Sequence, residues 1–132
     1  MMIYSYTIEV QKEDIDINGH VSNTHYLQWY VNAATRHSEA LGVGYTFTQS
    51  LGVTWVAKEH HIYYKLPAFL GETLSMQTWI ESIKTSWAER KYRLMRGEEL
   101  IGEASTIWVM VDSKKQKPCR IPKQIIGKYE AH

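Results

Sequence analysis

Cys119 is the only cysteine among the 132 residues, so no intrachain disulfide can form and a reducing compartment is expected. Three prolines and eight glycines are too few for a collagen-like or low-complexity chain. Neither sign of charge is in excess. Fifteen Lys and Arg meet fourteen Asp and Glu, for a net charge of +1, without the basic excess or stripe of a nucleic-acid binder. Apolar runs stop after a few residues, which excludes a helical membrane span. The start, Met1-Met2-Ile3-Tyr4-Ser5-Tyr6, has neither the basic residues nor the apolar stretch of a signal peptide, so a cytoplasmic location is expected. There is no internal repeat, Walker segment or Rossmann glycine fingerprint. The six histidines fall into no H-E-x-x-H or zinc-ribbon spacing, and no metal or cofactor is expected. What is present is the composition of a globular chain, 44% hydrophobic and 22% charged. A chain of this length buries roughly 65–70% of its extended surface, enough for a core. Residues 1–132 therefore read as one domain.

The apolar spacing changes period along the chain. Tyr4, Tyr6, Ile8 and Val10 alternate with Ser5, Thr7 and Glu9, the period of a strand. From Asn23 the period is helical. Leu27, Tyr30, Val31, Ala34, Ser38 and Leu41 form a stripe, with Ser22 or Asn23 as N-cap and Gly42 placed as a C-terminal glycine. Residues 43–50 are a loop or a short second helix. Residues 52–66 read as a long strand with Val56, Ile62, Tyr64 and Leu66 on one face, closed by Pro67. Leu74, Met76, Thr78 and Ile80 line the next strand, and Ala88, Tyr92 and Leu94 the one after. Residues 100–111 form another strand, and a short helix over 123–130 ends the chain. One strand, one long helix and four further strands predict an α+β fold, an antiparallel sheet packed on one main helix.

Chemistry concentrates between the first strand and the long helix. Asp16, Asn18 and His20 bring a carboxylate, a carboxamide and an imidazole to the start of that helix. The first-turn N–H groups of a helix are unpaired and the dipole adds partial positive charge, so a carbonyl set there is polarised and an oxyanion stabilised. A neighbouring carboxylate can activate water or attack the carbonyl itself. Asp and Asn are also common turn-capping residues, and from spacing alone that reading stands beside the catalytic one.

The segment Asp14-Ile15-Asp16-Ile17-Asn18-Gly19-His20-Val21-Ser22-Asn23-Thr24-His25-Tyr26-Leu27 resembles the D-x-D-x-x-x-H-V-x-N-x-x-Y-L signature of hot-dog-fold acyl thioesterases. Ile62-Tyr63-Tyr64-Lys65-Leu66-Pro67-Ala68, Leu70-Gly71-Glu72-Thr73-Leu74, and Trp108-Val109-Met110-Val111-Asp112 followed by Pro118 and Ile121-Pro122 resemble the same family in order. The resemblance implies a hot-dog fold, an antiparallel curved β-sheet wrapped around one long central α-helix. It implies hydrolysis of acyl-CoA or acyl-ACP thioesters. In the subgroup typified by bacterial 4-hydroxybenzoyl-CoA thioesterase, the aspartate matching Asp16 is the catalytic nucleophile or general base. The position matching Asn23 gives its backbone N–H to the thioester carbonyl. Plant acyl-carrier-protein thioesterases carry D-x-N-x-H, which Asp16, Asn18 and His20 match, so that Asn18 and His20 would assist Asp16. Those plant enzymes have a Glu-Cys pair where Pro67-Ala68 stands here.

Family members pair two sheets edge to edge, with active sites at the subunit boundary. A homodimer or homotetramer is expected, which also covers the otherwise unpaired strand edges, with Trp79 and Trp87 suited to further contacts. The acyl group would run from the helix N-terminus between helix and sheet. Tyr26, Tyr30, Val56, Ile62 and Tyr64 are the expected substrate-binding residues, with Ala34 opening room part-way along. Such a tunnel favours short-to-medium or aromatic acyl groups. Two rivals share the scaffold. A hot-dog enoyl-CoA hydratase carries D-x-N-x-x-H, whereas His20 falls one residue earlier. A non-catalytic acyl-thioester binder would have no use for the Asp16 carboxylate.

Overall fold

A computed structural model describes residues 2–131. Strands β1 (Tyr4–Glu9), β2 (Val53–Tyr64), β3 (Thr73–Ile83), β4 (Trp87–Arg96) and β5 (Glu99–Asp112) form one sheet in the order β1-β3-β4-β5-β2. Every neighbouring pair is antiparallel. The helices are α1 (Asn23–Ala40), α2 (Tyr45–Ser50) and α3 (Lys123–Ala131), and a 3₁₀ turn spans Lys12–Asp14. The chain thus has the α+β, hot-dog arrangement of one long helix against a five-stranded antiparallel sheet.

Alternation decides which face of the sheet meets α1. Leu74, Met76, Thr78 and Ile80 of β3 are all buried, as are Ala88, Tyr92 and Leu94 of β4, while Trp79 and Trp87 lie on the opposite face. Three irregularities, between Ala57 and Glu59, between Ile80 and Ser82 and between Leu94 and Met95, break the pairing register and bend the sheet. The first corrects the reading of β2. An extra residue reverses parity, so Trp55 and Ala57 precede the bulge on the inner face, and His60 and Ile62 follow it there. Val56 therefore does not share a face with Ile62 and Tyr64, and is 45% exposed.

Helix α1 starts where Ser22 Oγ accepts the Thr24 N–H at 3.4 Å, and the chain leaves it through Gly42 at φ 75°. Its buried side is Tyr26, Trp29, Tyr30, Ala33, Ala34 and His37. The expected stripe is turned by about one residue step, because Leu27 is exposed and Val31 only half-buried. Aromatic side chains with polar tips fill the space over the sheet that aliphatic residues were expected to fill. Two core clusters result. One groups Tyr30, Tyr92, Leu74, Met76 and Ile101 under the first half of α1, and the other groups Ile80, Met110, Ile121 and Ile125 under α3.

Candidate active site

The segment from Asp14 to Ser22 folds into a tight hairpin immediately before α1. Ile15 and Val21 form an antiparallel bridge, the Asp16 N–H donates to the His20 carbonyl at 2.9 Å, and the Gly19 N–H donates to the Asp16 carbonyl at 3.1 Å. Gly19 turns the chain at φ 84°, a left-handed conformation open to glycine at little cost. The hairpin is pinned from three sides. The Val21 N–H donates to the Ala68 carbonyl at 2.9 Å, the Ser22 N–H to the Asp14 carbonyl at 2.9 Å, and His25 Nδ1 lies 3.2 Å from that same carbonyl. Val21 and Ala68 are both buried, which excludes water as a competitor for their bond. Arg96 extends the support by donating to the Pro67 carbonyl at 3.0 Å and to both Glu72 oxygens. The Pro67-Ala68 pair thus serves here as a backbone anchor for the hairpin.

Within this frame the Asp16 carboxylate is half-buried, and its Oδ1 accepts the Asn18 N–H at 2.8 Å. Its Oδ2 accepts nothing from the described residues. The turn-capping and catalytic readings of Asp16 are therefore compatible, since one oxygen holds the loop and the other is free. The Asn23 N–H, first in α1, likewise has no acceptor among the described residues, as expected at a helix start. Asp16, Asn18 and His20 share the turn of this hairpin, whose return limb runs through Ser22 into Asn23, the first residue of α1. The structure makes no hydrogen bond among the side chains of Asp16, Asn18 and His20. His20 is half-buried, with Nδ1 3.4 Å from the Val21 carbonyl.

The expected substrate-binding residues divide into groups. Tyr64 donates to the Asn23 carbonyl at 3.4 Å and meets the Tyr26 ring edge-on at 5.1 Å, so both border the helix start. Tyr30 is fully buried against Tyr92, under α1, and Ile62 packs on the same core. Burial raises the pKa of both Tyr26 and Tyr30, keeping their hydroxyls protonated. Val56 lies apart, outward on the edge strand β2. Beside it in β2, His60 and His61 point to opposite faces: His60 Nδ1 is 2.9 Å from Thr106 Oγ1 and its pKa is lowered by burial, while His61 pairs with Glu59 outside. Among the described residues no three His, Cys, Asp or Glu side chains converge on a metal position.

One buried cation escaped the sequence reading. Arg90 is 2% exposed in the middle of β4. Its parity with Ala88, Tyr92 and Leu94 was the available signal, since a strand with three inward apolar neighbours carries the fourth inward as well.

A family model described as the acyl-ACP thioesterase N-terminal domain matches residues 2–129. The chain is 27% identical over 129 residues to the acyl-CoA thioester hydrolase YbgC of Escherichia coli O157:H7, covering 97% of this chain and 96% of that one. Among solved structures, DHNA-CoA thioesterase from Staphylococcus aureus superposes with a TM-score of 0.87 at 22% identity, over 99% of this chain and 93% of that chain. The Staphylococcus aureus protein SAV2348, solved in complex with CoA, superposes at 0.92 with 16% identity, over 98% of this chain and 83% of the other.

Proposed function

The chain belongs to the acyl-ACP thioesterase family and is a thioester hydrolase of hot-dog fold, and from that premise we propose that it hydrolyses acyl-CoA thioesters with Asp16 as the catalytic carboxylate. The observation that carries this reading is the Asp16 carboxylate itself, fixed through Oδ1 with Oδ2 free, in a hairpin pinned beside the unpaired Asn23 N–H. Asp16 takes a proton from water as that water attacks the thioester carbonyl carbon, or attacks the carbon itself to form a mixed anhydride that water then cleaves. The Asn23 N–H, strengthened by the α1 dipole, receives the oxyanion. The tetrahedral intermediate collapses by breaking the C–S bond. The thiolate leaves without a strong general acid, and the products are the free acid and the thiol. Asn18 contributes its backbone N–H to the orientation of Asp16, and His20 lines the hairpin.

Coenzyme A, rather than a carrier protein, is the proposed carrier, supported by the named activity of YbgC and the CoA bound to SAV2348. Tyr26, Tyr64 and Ile62 are proposed to flank the acyl group, with Tyr30 at its end wall and Val56 of a partner's edge strand beside it. The exposed apolar residues at and beyond β2 (Val56, Tyr63, Leu66, Phe69 and Leu70) support a homodimer formed through that edge. A cytoplasmic setting suits the free Cys119.

The test is thiol release from a panel of short, medium, long and aromatic acyl-CoAs, with one acyl-carrier-protein substrate alongside. Release from a medium or aromatic acyl-CoA is expected. Release from the carrier-protein substrate alone would move the assignment, and hydration of an unsaturated acyl-CoA without thiol release would overturn it.

A further inference from the structure

Beneath the C-terminal half of α1, at the far end of that helix from Asp16, lies a cavity of about 170 Å³. Its walls are mainly apolar, with Ala34, Val43, Trp55, Ile80 and Trp108 among them, and Arg90 also lines it. The guanidinium there has unusual company. Its Nη1 donates to His37 Nδ1 at 2.9 Å and to Thr78 Oγ1 at 3.0 Å, and Nη2 donates to the Tyr129 hydroxyl at 3.3 Å. All three acceptors are neutral groups, His37 being held uncharged by burial and by Arg90 itself. The Nε–H is buried with no acceptor among the described residues. Trp108 Nε1, by the Tyr92 hydroxyl, is likewise buried without an acceptor in good hydrogen-bond geometry.

No carboxylate pairs with Arg90 among the described residues. Glu39 is the one acid lining the cavity, and it is exposed at the rim, where its Oε1 accepts the Tyr45 N–H at 3.3 Å. A buried charge without a counter-ion is costly, and buried charges are ordinarily paired. A buried guanidinium with a spare donor, beside a cavity with apolar walls, is matched by an anion on an apolar body. A carboxylate suits it best, because its two oxygens fit the planar fork of donors.

We propose that this cavity binds a carboxylate carried on a short aliphatic or aromatic body, with Arg90 as its counter-ion. The source is a free organic acid, the class of compound that thioester hydrolysis releases.

The experiment compares hexanoate with hexan-1-ol, and benzoate with benzyl alcohol, by calorimetric titration of the full chain and of Arg90→Met and Arg90→Gln. Wild type is expected to bind each acid at least tenfold more tightly than its alcohol, about the effect of one charge-assisted hydrogen bond. In both variants that ratio should fall to near one. Equal binding of acid and alcohol by wild type, no binding of either acid at tens of millimolar, or a ratio unchanged by the substitutions would overturn the proposal. The wild-type contrast decides even where a variant fails to fold, and no part of it depends on turnover.

Discussion

Replacing Asp16 by Asn tests the proposed chemistry most directly, because the geometry allows charge and shape to be separated. The carboxamide oxygen can still accept the Asn18 N–H, now at 2.8 Å from Asp16 Oδ1, so the turn survives. The hairpin keeps its other anchors, the Val21 bond to Ala68 and the Ser22 bond to Asp14. Folding stability should therefore change by less than about 1 kcal/mol, the scale of one exposed hydrogen bond weakened rather than lost. What disappears is the free anionic oxygen. Loss of a general base costs roughly 10²–10⁴ in rate, or about 3–5 kcal/mol of barrier. Steady-state thiol release should show kcat reduced by that factor with KM little changed, and a non-hydrolysable acyl-CoA thioether should bind as in wild type. Asp16→Ala separates the two roles further. It should lose the same turnover and, by also releasing Asn18, lower the urea midpoint. Turnover of Asp16→Asn within threefold of wild type, in a folded variant that binds the thioether, would refute the role given to Asp16.

Other expectations follow from the same geometry. Asn18→Ala and His20→Ala should each lower kcat less than Asp16→Asn, because Asn18 acts through its backbone and His20 makes no bond to Asp16; an equal loss in either would favour the plant-type arrangement. His37 has its pKa lowered from 6.5 to about 4 in the folded chain, so the unfolded chain takes up the proton first on acidification. Stability should be full above about pH 6.5 and fall by up to about 3 kcal/mol toward pH 4, and His37→Gln, which keeps an acceptor for Arg90, should flatten that slope in urea unfolding. A Cβ at Gly102 would stand 2.8 Å from the hydroxyl of fully buried Tyr30, so Gly102→Ala should destabilise by about 1–3 kcal/mol, and an unchanged urea midpoint would show that the ring can yield. Sedimentation should find a homodimer at micromolar concentration that Val56→Lys, on the edge strand, weakens; a stable wild-type monomer would refute the edge pairing.

The sequence by itself determined what depends on near neighbours. Ser22 caps α1 because a short hydroxyl reaches a first-turn N–H two residues on, and Gly42 ends it because left-handed φ is open to glycine. The inward set of β3, from Leu74 to Ile80, follows from strict alternation without a bulge in that stretch. The Asp16-Asn18-His20 segment was legible as a unit because its turn closes within five residues. Tertiary structure alone decided the rest. The bulge after Ala57 depends on the hydrogen-bond register with β5, residues far away in the chain, and it turned Val56 outward. The buried face of α1 was set by the shape of the sheet beneath it, which accommodates Trp29 and His37 in preference to Leu27 and Val31. Arg90 reads locally as one more charged residue in a mixed strand. Its burial beside His37, Thr78 and Tyr129 joins four elements, β4 with α1, β3 and α3, and exists only once they pack. Local hydrogen bonds and alternation act over a few residues and are written in order along the chain, whereas register, helix rotation and the placement of a buried charge are fixed by partners that folding brings from elsewhere.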